Sequence, residues 1–161
     1  MNALTVILIF TFCIITAFSH AMPTATKPKP IESFKLNQTQ QQKEGGSCSY
    51  TLTIKTSCSS YMYTTEIIGV LFGDAYGNQV YVPSLDGPNL GTFGQCSTNT
   101  YEIYGPCTFQ ICDLYLYRTG DDGWIPETVT VYDYAYDPIT FYYNINIPDD
   151  DGYGFDYCHG V

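Results

Sequence analysis

Alternation of apolar and polar residues with a period of two, cut at short intervals by glycine, proline, asparagine and aspartate, constrains this chain more than any other feature. From Ile139 to Ile147, the apolar Ile139, Phe141, Tyr143, Ile145 and Ile147 alternate with Thr140, Tyr142, Asn144 and Asn146. Strand side chains point to opposite faces in turn, so this segment reads as a strand with one face on a core and one toward water. Tyr50, Leu52 and Ile54 alternate in the same way with Thr51, Thr53 and Lys55, and Ile67 to Phe72 is a continuous apolar run, as expected for a strand covered on both faces. Gln79–Val82, Thr100–Tyr104, Leu114–Tyr117, Thr128–Tyr132 and Tyr153–Tyr157 bring the expected strands to about eight. No stretch shows the 3.6-residue period of a helix. The reading is an all-β fold, an antiparallel β-sandwich.

Two local readings follow. Phe109 and Ile111 lie in the opposite phase to Leu114 and Leu116, which predicts a bulge or a change of sheet near Cys112 and Asp113. The stretch from Gly105 to Tyr132 reads as strand, acidic turn (Thr119 to Gly123), tryptophan and strand: a hairpin corner closed by Trp124, the single Trp of the chain.

The ends organise differently. Ala3 to Phe18 is an almost unbroken apolar run followed by small residues, which reads as a secretory signal peptide over residues 1–21. Residues 22–46 are rich in Pro, Lys, Thr and Gln and read as a flexible N-terminal arm, with a glycosylation sequon at Asn37. The globular domain is expected over 47–161. Secretion agrees with the cysteines, since Cys48, Cys58, Cys96, Cys107, Cys112 and Cys158 remain as an even set for an oxidising compartment. Their pairing stays open among the 15 connectivities that six cysteines allow. A zinc site is a poor alternative, because no CxxC pair occurs and His159 is the only histidine beyond the leader.

Charge narrows the partners. The chain carries −10, and the region from Ser47 onward holds fourteen acids against two bases, Lys55 and Arg118. Phosphate recognition needs a basic footprint, so nucleic acid is excluded as a direct partner and unaided docking on an anionic membrane is disfavoured. A nucleophilic hydrolase would have only His159 as a histidine base, and no glycine-rich phosphate loop is present. Two carboxylates at glycosidase spacing are not excluded by sequence, although acids in turns are ordinarily just solvated. The expectation is a protein that is not an enzyme. Sixteen tyrosines, all in the globular region, suit half-buried positions with wet hydroxyls.

The segments GDAYGNQVYVP, GTF, CSTNTYEIYGPC, ICDLYLYRTGDDGW, IPETVTVY and ITFYYNINIP resemble the plant embryo-specific proteins, secreted relatives of the PLAT (lipoxygenase homology) domain. The resemblance runs from Cys48 to about Cys158 and is most specific at the DGW turn. It implies a sandwich of two four-stranded sheets and a role in lipid, membrane or protein association in seed or stress biology, with no catalysis of its own. It also makes calcium the best cofactor candidate, because oxygen-rich loops at a sandwich end suit that ion. Asp121 and Asp122 are the first candidate ligands, Asp149 to Asp151 the second, and Asp74 with Asn78 the third. Tyr61, Met62, Tyr63 and Trp124 are the candidate membrane or ligand rim. Expected partners are a lipid surface or an extracellular protein, with the chain a monomer located outside the cell or in the cell wall. Two other roles remain: a structural or storage-associated protein of seeds or walls, and a carbohydrate-binding sandwich in which exposed tyrosines and Trp124 stack on sugars.

Overall fold

The computed structural model describes residues 29–30, 47–85 and 93–158. The expected leader, Asn37, His159 and the arm apart from its residues 29–30 lie outside the described residues. The strands are β1 (Lys29–Pro30), β2 (Ser47–Thr56), β3 (Ile67–Asp74), β4 (Gln79–Val82), β5 (Thr98–Pro106), β6 (Ile111–Thr119), β7 (Pro126–Asp133), β8 (Ile139–Tyr142) and β9 (Tyr153–Asp156). They form two antiparallel sheets, ordered β1-β9-β6-β3-β4 and β5-β2-β7-β8. The eight strands of the globular region thus divide four and four, as expected. β1, contributed by the arm, adds a two-residue edge beside β9.

The alternation decides which side chains meet. Leu52 and Ile54 of β2, Val129 and Val131 of β7 and Phe141 of β8 face Val70 and Phe72 of β3, Leu114 and Leu116 of β6 and Phe155 of β9 across the sandwich, and all are buried. Full burial of each such side chain contributes about 1.5–3 kcal/mol. Tyr50 joins this core with its ring edge-on to Phe72 while its hydroxyl donates to the Pro106 carbonyl at 2.7 Å. β9 lies so close to β6 that a Cβ on Gly154 would stand 1.9 Å from the Leu114 carbonyl oxygen, so only glycine fits there.

The phase break near Cys112 is a bulge. Asp113 pairs with Gly73 but Ile111 pairs with Asp74, which leaves Cys112 as the extra residue of β6. Cys112 bonds to Cys158, and the other bridges are Cys48–Cys107 and Cys58–Cys96.

Two expectations need correction. β6 and β7 do not form a hairpin: they belong to different sheets, and the chain crosses the end of the sandwich between them. Trp124 lies in that crossing and is fully buried in the core. The strand expected over Ile139–Ile147 is regular only to Tyr142, because Asn144 takes a left-handed φ of 52°. The inward phase nevertheless persists. Tyr143 and Ile147 are buried, and their N–H groups donate to the Glu127 and Trp124 carbonyls.

Candidate functional site

Antiparallel order places the β2–β3, β6–β7 and β8–β9 connections at one end of the sandwich. Their shared centre is a buried ion pair. Leu114 and Leu116 set the inward phase of β6, and the next inward position holds Arg118, only 7% exposed. Its Nη1 lies 2.7 Å from Oε2 of Glu66, at the end of the β2–β3 loop, and also donates to the Gly120 carbonyl at 2.6 Å, while Nε donates to the Ile147 carbonyl at 2.9 Å. Glu66 Oε1 accepts the N–H groups of Asp122 and Gly123, the latter at 3.0 Å. Such a pair is costly to desolvate and is retained here by satisfying nearly every donor and acceptor around it. It gathers all three connections.

Trp124 closes the end. It is fully buried, its ring packs edge-on against Phe93 at 5.1 Å, its indole N–H donates to Thr56 Oγ1 at 3.1 Å, and its backbone N–H donates to Asn146 Oδ1 at 3.0 Å. Trp124 is therefore not part of any exposed rim and cannot stack on a sugar. It is the plug on which the rim stands.

Above this base, Tyr61, Met62 and Tyr63 are 55%, 66% and 71% exposed. Their loop is held on three sides. Cys58 is bonded to Cys96, the Met62 carbonyl accepts the Gln95 N–H at 3.3 Å, and Ile125 N–H donates to Ser60 Oγ at 3.1 Å. Gly123, at φ 83°, would bring a Cβ within 2.7 Å of the Tyr61 ring, so the aromatic loop and the acidic turn touch. Asp122 accepts both the hydroxyl (2.6 Å) and the N–H (3.2 Å) of Thr65, and these bonds hold its carboxyl below the usual carboxylate range. Asp149 and Asp150 accept from Gly120 N–H and the Thr119 hydroxyl.

The structure thus brings together the first and second acidic candidates and the aromatic loop. The third candidate, Asp74 with Asn78, lies at the opposite end. Among the described residues no three His, Cys, Asp or Glu side chains group closely enough to hold a metal ion. Sequence reading did not find the Glu66–Arg118 pair. Its signal was present, because Arg118 falls on the inward phase set by Leu114 and Leu116 and a buried guanidinium demands an acid.

A PLAT-like antiparallel β-sandwich is the class this fold defines. The chain superposes on an engineered lipoxygenase (Delta413-417:GS I805A LOX) with a TM-score of 0.59 at 19% identity over 69% of this chain, and on coral 8R-lipoxygenase with 0.58 at 20% over 67%. It matches the alpha toxin of Clostridium absonum with 0.55 at 19% over 74%. The chain spans only 17% of either lipoxygenase and 34% of the toxin, and the shared part is the sandwich fold. Residues 34–158 match the model of the family described as embryo-specific protein 3 (ATS3), and the chain belongs to that family. It is similar to embryo-specific protein ATS3B of Arabidopsis thaliana, 52% identical over 83% of this chain and 70% of the relative. It is also similar to ATS3A of the same plant, 47% identical over 95% and 85%.

Proposed function

We propose that this embryo-specific family member is a secreted, non-enzymatic PLAT-like binding module that docks on lipid surfaces through Tyr61, Met62 and Tyr63. The observation that carries this reading is three consecutive exposed apolar side chains on a loop braced by the Glu66–Arg118 pair and the Trp124 plug. An exposed apolar tip rimmed by polar residues is the surface feature that marks membrane or protein association. Charge then selects the lipid. Both bases of the domain are engaged, Lys55 with Glu127 and Arg118 with Glu66, so entry into a zwitterionic surface needs no cation while approach to an anionic one does. Asp121 and Asp122 supply the acids for a bridging calcium ion, a role in keeping with coral 8R-lipoxygenase, which is described as calcium-activated through a C2-like domain. Secretion is supported by the apolar leader and by three disulfides.

The test is co-sedimentation of the oxidised protein with phosphatidylcholine vesicles and with vesicles containing phosphatidylserine, each with calcium or with chelator. Tyr61→Ala/Met62→Ala/Tyr63→Ala is expected to reduce partitioning into both by tenfold or more. Asp121→Asn/Asp122→Asn is expected to remove only the calcium-dependent part on anionic vesicles. Parent-like partitioning by the folded triple variant overturns the reading. Binding that is abolished in the triple variant but indifferent to chelator removes calcium from it.

A further inference from the structure

We propose that the outer face of the sheet β5-β2-β7-β8 is a second binding site, remote from the aromatic tip, that takes an uncharged polysaccharide chain. Register builds this face. Thr53 stands between Thr100 and Thr130, and Thr130 stands opposite Thr140, so one row of hydroxyls crosses all four strands. Hydrogen bonds within the row, 3.2 Å for Thr53–Thr100 and 2.8 Å for Thr130–Thr140, tie the hydroxyls into pairs. Each still has donor or acceptor capacity to spare.

Tyrosines flank the row. Thr51 lies opposite Tyr132, Ser49 opposite Tyr104 and Thr128 opposite Tyr142, and all three tyrosines are exposed. Tyr104 and Tyr132 are separated by two strand spacings, roughly 10 Å across the sheet, which is the scale of a few sugar rings. Just beyond β7, Tyr134 is 81% exposed and stands between two grooves. The larger, of 440 Å³, is lined by Thr51, Thr53, Tyr132, Asp133, Tyr134 and Pro138, and the smaller, of 390 Å³, runs past Ser47 and Ser49. Open grooves lined by tyrosine rings and by hydroxyl side chains suit pyranose rings, whose apolar faces stack on aromatics while their edges hydrogen-bond.

Charge chooses among occupants. Among the described residues the only base on this face, Lys55, is paired with Glu127 at 2.7 Å, and the domain around it is strongly acidic. A polyanion would meet repulsion with no cation to offset it, whereas a neutral chain meets none. The outer face of the other sheet differs, for its outward Leu71 is only 2% exposed and burial raises the Tyr117 hydroxyl pKa above its ordinary value.

The experiment is a titration of the oxidised protein with a soluble, uncharged β-glucan and, in parallel, with polygalacturonate, followed by calorimetry and affinity electrophoresis. Saturable binding to the β-glucan alone is expected, weakened tenfold or more by Tyr132→Ala/Tyr134→Ala and unchanged by Tyr61→Ala/Met62→Ala/Tyr63→Ala. The thermal midpoint of the Tyr132/Tyr134 variant, whose changes are at exposed rings, shows that it folds. No β-glucan binding, equal binding to polygalacturonate, or binding indifferent to the Tyr132/Tyr134 change overturns the proposal. So does a concentration-dependent dimer that the same change dissolves, since that would make the face a contact between copies.

Discussion

The two ends of the sandwich solve one problem in two ways. Each presents exposed aromatics above an acid that orders the turn beneath them. At the tryptophan end the acid is Glu66, buried against a guanidinium and two N–H groups. At the opposite end it is Asp74, which accepts only neutral donors: the N–H groups of Tyr76 (2.8 Å), Asn78 (3.0 Å) and Phe109 (2.7 Å) and the Asn78 side chain (2.7 Å). Above it the exposed Tyr76 and Phe109 rings meet at 4.9 Å. Disulfides are distributed the other way, with Cys48–Cys107 and Cys112–Cys158 at the Asp74 end and Cys58–Cys96 alone at the tryptophan end. One end is ordered chiefly by a buried charge pair, the other by covalent ties and a capped turn. They should therefore fail under different insults.

The sharpest break is Glu66→Ala. It leaves Arg118 buried without its acid, and an expected loss of about 3–5 kcal/mol should appear as a lower urea midpoint. Changing Glu66 and Arg118 together to Gln and Met should recover much of that loss. A single variant as stable as the parent would show that the three connections are held by something else.

Next in size is Cys48→Ser/Cys107→Ser. Removing a bridge that spans 59 residues should cost about 2–5 kcal/mol, mostly by freeing the unfolded chain. Its mark should be local as well, with amide exchange faster at the Asp74 end and unchanged around Trp124.

Asp74→Asn comes third, at about 1–3 kcal/mol near neutral pH, because the site offers only donors to an amide that brings two more. The sign with pH is fixed by the carboxyl's environment. Burial raises the Asp74 pKa, but the bonds from the Asn78 side chain and the Phe109, Tyr76 and Asn78 N–H groups outweigh it, so the folded value lies below the ordinary 3.8. Its stabilisation is then complete above that ordinary value and is lost as pH falls through the lower, folded one. Stability of parent and variant, followed by urea titration from neutral to acid pH, should converge at the acid limit. A constant gap would detach Asp74 from the turn.

The smallest effect belongs to Lys55 and Glu127, paired at 2.7 Å on the open sheet face. A double-mutant cycle should give at most about 1 kcal/mol, reduced further by salt. A larger coupling would mean that this face is better shielded from water than its exposure indicates.

Much of the architecture was legible in the residues. The alternation at Tyr50–Ile54 and Leu114–Leu116 and the solid apolar run Ile67–Phe72 state which side chains face inward and which strand is covered on both faces, because side-chain direction depends only on neighbours along the chain. The break of phase before Leu114 likewise announced the bulge at Cys112. Tyr61, Met62 and Tyr63 sit in a serine- and threonine-rich loop away from any strand period, which is why their exposure could be expected. Trp124 reads first as the plug of the corner and second as part of the rim, and its burial between the sheets bears out the plug and removes it from the rim.

Sequence alone determined the β class, the strand phases, the acidity of the domain and the even cysteine set, since each is a local or additive property of the residues. Tertiary structure decided the rest: that β6 and β7 part into different sheets, that Arg118 reaches Glu66 across 52 residues, which cysteines pair, and that the threonines of four strands line up as one face. These depend on which strands become neighbours, and strand order is set by contacts between residues far apart in the chain, a quantity that no period carries.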